Sequence, residues 1–211
     1  MIKLKKGPVP ELLAENADKW AKELLAELAK GGDKVAYRKS KYNNPAIKAA
    51  LFAETNGKCA YCESLPLHVT YGDIEHIVPK SVDPNLTFDW KNLTLACDVC
   101  NTKKADKEGL LDPYEDEPED EFDFIGPMLL HRTGKAKAEI TRTVLDLNRS
   151  HLLCQRAERI EALENRFRLI EQHPEPSERR LMLAATVEHE ISAERGYSSC
   201  SRSYLRATGR Y

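Results

Sequence analysis

Four cysteines in two C-x-x-C pairs, Cys59 with Cys62 and Cys97 with Cys100, separated by 34 residues, constrain this chain more than any other feature. Two cysteines at this spacing present both sulfurs from one tight turn, the geometry of a metal-binding knuckle. Four thiolates meet the tetrahedral preference of Zn²⁺ and leave no open position, so the expected Zn²⁺ is structural and does not activate water. An insert of 34 residues is longer than a compact zinc ribbon holds, and a further folded unit is expected inside it. Cys154 and Cys200 have no spaced partner and are expected to act as small hydrophobes.

Thiols rather than disulfides fit the rest of the chain. No apolar run approaches the roughly 20 residues that span a bilayer, and Met1 to Lys6 has no apolar core of a signal peptide. A cytoplasmic location is therefore expected, where thiols stay reduced. With 41% hydrophobic and 31% charged residues the composition is globular and argues against disorder. The net charge of −2 hides segregation: residues 1–58 carry 12 basic and 7 acidic side chains, residues 111–148 carry 4 and 10. A nucleic-acid partner is compatible with that layout.

Periodicity predicts an amphipathic helix over 11–29, with Leu13, Ala17, Trp20, Leu24 and Leu28 on one face and Gly31-Gly32 as its stop. A second helix is expected from Pro45 to Asn56, capped by Asn44. Between Cys59 and Cys100 the pattern gives short strands, in VTYGDIEHIV (69–78) and NLTLAC (92–97), and then a short helix over 101–108 ended by Gly109. Residues 112–123 read as an acidic, proline-broken loop, and AKAEITRTV (136–144) alternates like a strand. Two helices close the chain, at 150–172 with Leu153, Ala157, Ile160, Leu163 and Phe167 on a stripe, and at 177–195 with Leu181, Ala184, Val187 and Ile191. All 11 basic residues from Arg149 onward are arginine, suited to planar contacts with carboxylates or phosphates. The expected fold class is α+β. Its parts are an N-terminal helical segment (1–58), a zinc-pinned core (59–110), an acidic loop and strand (111–148), and a helical region (149–211) that is a candidate for partner docking.

Inside the insert stand Asp73-Ile74-Glu75-His76-Ile77-Val78-Pro79, Asn92 sixteen residues after His76, and Asn101 nine residues later, directly behind Cys100. Acidic-His-Ile-x-Pro, then Asn-Leu, then C-x-x-C-Asn-x-x-Lys resembles the HNH nuclease family in its zinc-knuckle variant. That resemblance implies a ββα-metal core pinned by the four-cysteine zinc site and flanked by helices. It implies that Glu75 binds the catalytic metal, that His76 is the general base, and that Asn92 braces the loop and orients the histidine. Asn101 on the following helix becomes a second metal ligand. Glu75 replaces a more frequent Asp or His, and Asn101 replaces a second His. Oxygen donors of this kind favour Mg²⁺ or Mn²⁺. Asp73 shares a strand face with Glu75 and could assist the metal, while Glu75 and His76 converge only where the strand ends or bulges. Lys104, three residues after Asn101, is expected to face the same site and contact the scissile phosphate. His68, His131, His151, His173 and His189 fit no ligand spacing.

The flanks, with M-I-K-L-x-K at the start, then K-C-A-Y-C-E, L-L-D-P-Y-E and L-D-L-N-R, are similar to the HNH nuclease subunits of Septu-type antiphage defence systems, also found beside some retrons. This similarity implies an ABC- or SMC-like ATPase partner. The terminal helices are then docking elements or complete the core, and the acidic loop lies away from a nucleic-acid cleft. DNA is the expected substrate. Two alternatives stay open: structured RNA cut by the same site, and a zinc-ribbon module that binds without cutting. A metal-dependent cleavage assay with a His76→Ala control separates the last from the others.

Overall fold

A computed structural model describes residues 1–65, 72–175 and 177–210 of the chain. Helix α1 (Glu11–Lys30) ends where Gly31, in the left-handed conformation, returns its N–H to the Glu27 and Leu28 carbonyls. Its stripe of Leu13, Ala17, Trp20, Leu24 and Leu28 faces the core as expected, and the Trp20 ring meets Phe88 edge-on at 5.6 Å. A short α2 (Val35–Ser40), which periodicity did not reveal, turns the chain towards α3 (Pro45–Glu54). Asn44 caps α3 through the Ala46 N–H at 2.9 Å, and Pro45 supplies the preset first turn. Ile47 and Leu51 of α3 are fully buried beside the strands that follow.

Those strands are β1 (Asp73–His76) and β2 (Leu93–Ala96), antiparallel, with Asp73 opposite Ala96 and His76 opposite Leu93. Residues 69–71 of the expected first strand, and His68, lie outside the described residues. Two 3₁₀ turns, Pro84–Phe88 and Trp90–Asn92, connect the pair, each started by an aspartate side chain, Asp83 and Asp89. Helix α4 (Asp98–Lys104) begins three residues before the expected position, because the Cys97 sulfur accepts the Cys100 N–H and serves as the cap. It stops at Ala105, whose φ of +47° leaves the helix, so Gly109 is not its terminator. Together β1, β2 and α4 form the ββα unit.

The segment 111–148 departs most from expectation. Pro118 starts a one-turn α5 (Pro118–Glu121), with acidic residues at the end of a helix that favours them. A hairpin follows, β3 (Phe122–Ile125) with β4 (Met128–His131). The expected strand at 136–144 is instead helix α6 (Ala136–Val144). Its β-branched residues suit either state, and the packing decides: Ala138, Thr141 and Leu145, at helical spacing, are each fully buried. Nor does the acidic stretch present bare charge, since Glu117, Asp116, Glu121 and Glu119 pair with Lys3, Lys137, Lys135 and Arg202.

Helices α7 (Ser150–Glu171), α8 (Glu178–Ile191) and α9 (Ser198–Ala207) close the chain. The buried face of α7 runs through Leu152, Arg156, Leu163 and Ile170, not through Leu153 and Ala157, and on α8 Leu181 is exposed while Val187 and Glu190 are buried. Cys154 is exposed, whereas Cys200 packs in the core as a small hydrophobe should. No helix among the described residues is long and apolar enough to cross a membrane.

One core cluster joins Cys59, Cys62, Cys97 and Cys100 to Leu145, Leu147, Leu152, Tyr197 and Cys200. The C-terminal region therefore walls in the cysteines. Truncation after Asn148 would strip Leu152, Tyr197 and Cys200 from that cluster, and a single buried leucine is worth about 2–5 kcal/mol. The truncated chain is expected to lose cooperative thermal unfolding, read by circular dichroism; a melt at the full-length temperature would show that the first 148 residues fold alone.

Candidate functional site

The two knuckles meet face to face. The turn at Cys59–Cys62 is tied to β2 by the Ala60 N–H to the Leu95 carbonyl at 2.9 Å, and Cys97 leads from β2 into α4. All four sulfurs are buried within 4.8 Å of one another, and Cys62 and Cys97 are 3.8 Å apart. A tetrahedron with Zn–S bonds of about 2.3 Å has edges of about 3.8 Å, so the cluster fits that ion. Its surroundings fit the resulting negative charge. The Arg149 guanidinium lies 3.6 Å from the Cys100 sulfur and 3.9 Å from that of Cys97, and Ser64 Oγ lies 3.1 Å from Cys62 with Tyr197 behind it at 3.0 Å. Burial would depress the Arg149 pKa, but the neighbouring Cys100 and Cys62 thiolates hold it above its ordinary value.

Behind this cluster, strand β1 ends at His76, and the end allows Glu75 and His76 to line one cavity of about 340 Å³, together with Asn101 from α4. The His76 ring is nearly fully buried. Its Nε2 lies 2.9 Å from the Thr87 carbonyl, an acceptor only, so Nε2 carries the proton and Nδ1 keeps the lone pair. The Tyr42 ring meets it edge-on at 4.5 Å. Burial pushes the imidazole pKa down to about 4, the Lys80 and Lys104 charges add to this, and the Thr87 carbonyl opposes it.

Asn92 is set behind this cavity. Its Oδ1 accepts the Val78 N–H at 2.7 Å, and its Nδ2 donates to the Val78 and Leu86 carbonyls at 3.0 and 3.1 Å. One carboxamide thus clamps both sides of the loop whose next carbonyl, at Thr87, holds the histidine. Asn101 Nδ2 donates to Asp73 Oδ2 at 2.9 Å, which turns the Asn101 oxygen away from the aspartate. Asp73 is accordingly placed as the orienter of Asn101. Glu75 and Asn101 offer a carboxylate and a carboxamide oxygen to the cavity, a donor pair suited to a hard divalent cation that keeps several waters.

Lys104 is placed otherwise than a phosphate contact would be. It is 1% exposed, its Nζ lies 2.9 Å from Glu75 Oε1 and donates to the His76 carbonyl at 2.7 Å, and it does not line the cavity. Sequence spacing placed it on the right helix and side, yet the ammonium is used inside the protein. Burial raises the Glu75 pKa, and Lys104 works against that rise. Six residues of the cavity went unnoticed in the sequence, among them Lys39, Tyr42 and Lys80. Lys39 and Tyr42 come from far upstream, and Lys80 directly follows Pro79, where proximity to the motif was the available signal.

Two measurements test this arrangement. Cys97→Ser is expected to abolish stoichiometric zinc, about one ion per chain by metal analysis of the parent protein, and to lower its melting temperature. Lys104→Met leaves Glu75 buried without its partner and is expected to cost about 3–5 kcal/mol in denaturant titration, a loss that a solvent-facing phosphate contact would not produce.

Residues 59–107 match the family model described as HNH endonuclease. The chain is also 33% identical over 153 residues to the Septu protein PtuB of Bacillus thuringiensis, an alignment that covers 70% of this chain and 55% of that protein. It is 28% identical to the Septu protein PtuB of Bacillus mycoides (strain KBAB4), over 55% of this chain and 51% of the relative. A protein of Vibrio cholerae serotype O1 biovar El Tor, named for retron Vc95 and an HNH endonuclease, is 31% identical over 50% of this chain and 58% of its own length. The chain spans about half the length of the curated relatives it matches. Residues 59–107, with their ββα unit and paired cysteine knuckles, are the part of the chain that matches the HNH endonuclease family.

Proposed function

We propose that the protein is a metal-dependent endonuclease that hydrolyses phosphodiester bonds of DNA. The carrying observation is His76: a buried, neutral imidazole that lines a cavity edged by two oxygen donors and whose Nε2–H is fixed on a carbonyl, which leaves Nδ1 as the proton acceptor. In this reading Nδ1 takes a proton from a water molecule, the water oxygen attacks phosphorus, and the bond to the opposite ester oxygen breaks, its electron pair leaving on that oxygen. Glu75 and Asn101 would hold Mg²⁺ or Mn²⁺, which supplies neutralisation of the charge that builds on the phosphate and leaving oxygens. Asp73 and Asn92 do not touch the reacting atoms; they aim Asn101 and fix the loop that aims His76. The four cysteines hold Zn²⁺ as scaffold.

The kinship with Septu and retron proteins supports a role in antiphage defence, with an ABC- or SMC-like ATPase as partner. Helices α7 and α8, which carry the exposed apolar side chains Leu169, Leu181 and Met182, are the docking elements we assign to that partner.

His76→Ala is expected to lower cleavage of duplex DNA by about 10²- to 10⁴-fold while zinc content stays unchanged. Structured RNA assayed in parallel identifies the substrate class; cutting of RNA alone would overturn the assignment to DNA, and undiminished cutting by the variant would remove His76 from its role. A base must be neutral to accept a proton, so activity rises with pH through the His76 pKa. Since burial holds that pKa near 4, and a cation beside it lowers it further, the profile should be flat from pH 6 to 8, where an ordinary histidine would produce a rise.

A further inference from the structure

The cavity that holds His76 is closed on one side by residues outside the family match. Lys39, at the end of α2, and Tyr42, just after it, line it with Lys80. The four cations around this wall fall into two kinds. Arg38 and Lys41 are both spent on Glu23 of α1. Lys39 and Lys80 have no carboxylate partner among the described residues, and they are the two cations that line the cavity. Lys104, the other lysine near the site, is buried on Glu75.

Tyr42 places one member of this pair, Lys80. Its hydroxyl accepts a hydrogen bond from Lys80 Nζ at 2.6 Å, and the ammonium stands 4.5 Å from the centre of the ring. The same ring abuts His76. One aromatic residue therefore braces the imidazole and holds a lysine at the cavity mouth, while its hydroxyl proton remains to be donated. The acidic groups that face this region are Glu75 and Asp106, and Glu75 is already paired. Two ammonium groups in no ion pair among the described residues, against the one carboxylate of Asp106 left to face them, are an electrostatic seat for an anion beside the buried imidazole.

We propose that residues 35–42 together with Lys80 form a substrate-holding wall of the active site, in which Lys39 and Lys80 grip the nucleic-acid backbone. This rests on the endonuclease reading above and supplies the backbone contacts that Lys104 does not. The binding is to phosphate, so it is independent of base sequence and dependent on salt.

The test is binding of a fluorescent DNA duplex to full-length His76→Ala protein, followed by anisotropy across a salt series. Adding Lys39→Ala and Lys80→Ala is expected to weaken binding equally for unrelated sequences and to reduce the slope of log K against log salt by about 1 per lysine. Lys39→Arg with Lys80→Arg should restore most of the slope, and Lys22→Ala on the exposed face of α1 should leave it unchanged. Both lysines are partly exposed, and zinc content with thermal melting establishes that each variant is folded. An unchanged slope in the folded double variant overturns the proposal. A slope that falls as expected, in a protein whose wild type cuts no nucleic acid, would sustain the wall and sink the endonuclease reading. Wild-type cleavage that His76→Ala abolishes, together with full binding by the double alanine variant, would do the reverse.

Discussion

Four cysteine sulfurs drawn within 4.8 Å of one another are the constraint on which the rest of this structure depends. As thiolates they repel each other strongly unless a cation sits among them, and with Zn²⁺ they still carry a net charge of −2. Such a group is stable in a protein interior only if hydrogen bonds and an opposite charge reach it. Arg149 brings that charge from the start of α7, and Tyr197, in the turn before α9, reaches Cys62 through Ser64 beside the first knuckle. The position of the C-terminal helices is thus tied to the cysteine cluster as directly as β2 and α4 are.

The cluster also fixes the site. Cys97 is at once a cluster sulfur and the cap of α4, so the helix that carries Asn101 and Lys104 starts at the cluster. Lys104 then reaches back under β1 to Glu75 and the His76 carbonyl. Each buried polar group here would be costly alone. Glu75 is sustained by Lys104, His76 by being neutral with its N–H on the Thr87 carbonyl, and the loop that offers this carbonyl by Asn92. The arrangement works because these desolvation costs offset one another in pairs, and removal of one member exposes the cost of the other.

Much of this was legible in the sequence because its signals are local. Cysteine spacing, the Asn44-Pro45 helix start and the α1 stripe each act within a few residues, and the structure follows them. What could not be read depended on contacts between distant segments. The alternation at 136–144 was outweighed by Ala138, Thr141 and Leu145 packing as a helix, with Thr141 Oγ1 accepting the Leu111 N–H at 2.7 Å. The face of α7 is rotated by one residue from the simplest apolar stripe, because Arg156 is buried to donate to the Pro127 carbonyl at the hairpin turn. Within the site, Glu75, His76 and Asn101 line one cavity, but spacing could not reveal that Lys104 turns inward, since burial of an ammonium depends on a carboxylate 29 positions away.

A ββα unit of about fifty residues has too little interior to hide a charged cluster and a buried imidazole by itself. The flanks supply what it lacks. Residues 1–8 run along β2, with the Leu4 N–H on the Pro113 carbonyl at 2.8 Å and Lys6 held between the Trp90 and Tyr114 rings at 4.4 and 4.2 Å. The Tyr114 hydroxyl meets Thr94 Oγ1 at 2.9 Å, directly across the sheet from Glu75. On the other side the α2–α3 segment places Tyr42 against His76. The site is therefore supported by three regions outside its motif, two before the first cysteine pair and one after the second. Contacts run without a gap from α7 through Arg149, the thiolates and α4 to Glu75, so a load applied to the C-terminal helices meets the site through packed, hydrogen-bonded groups rather than through a flexible linker.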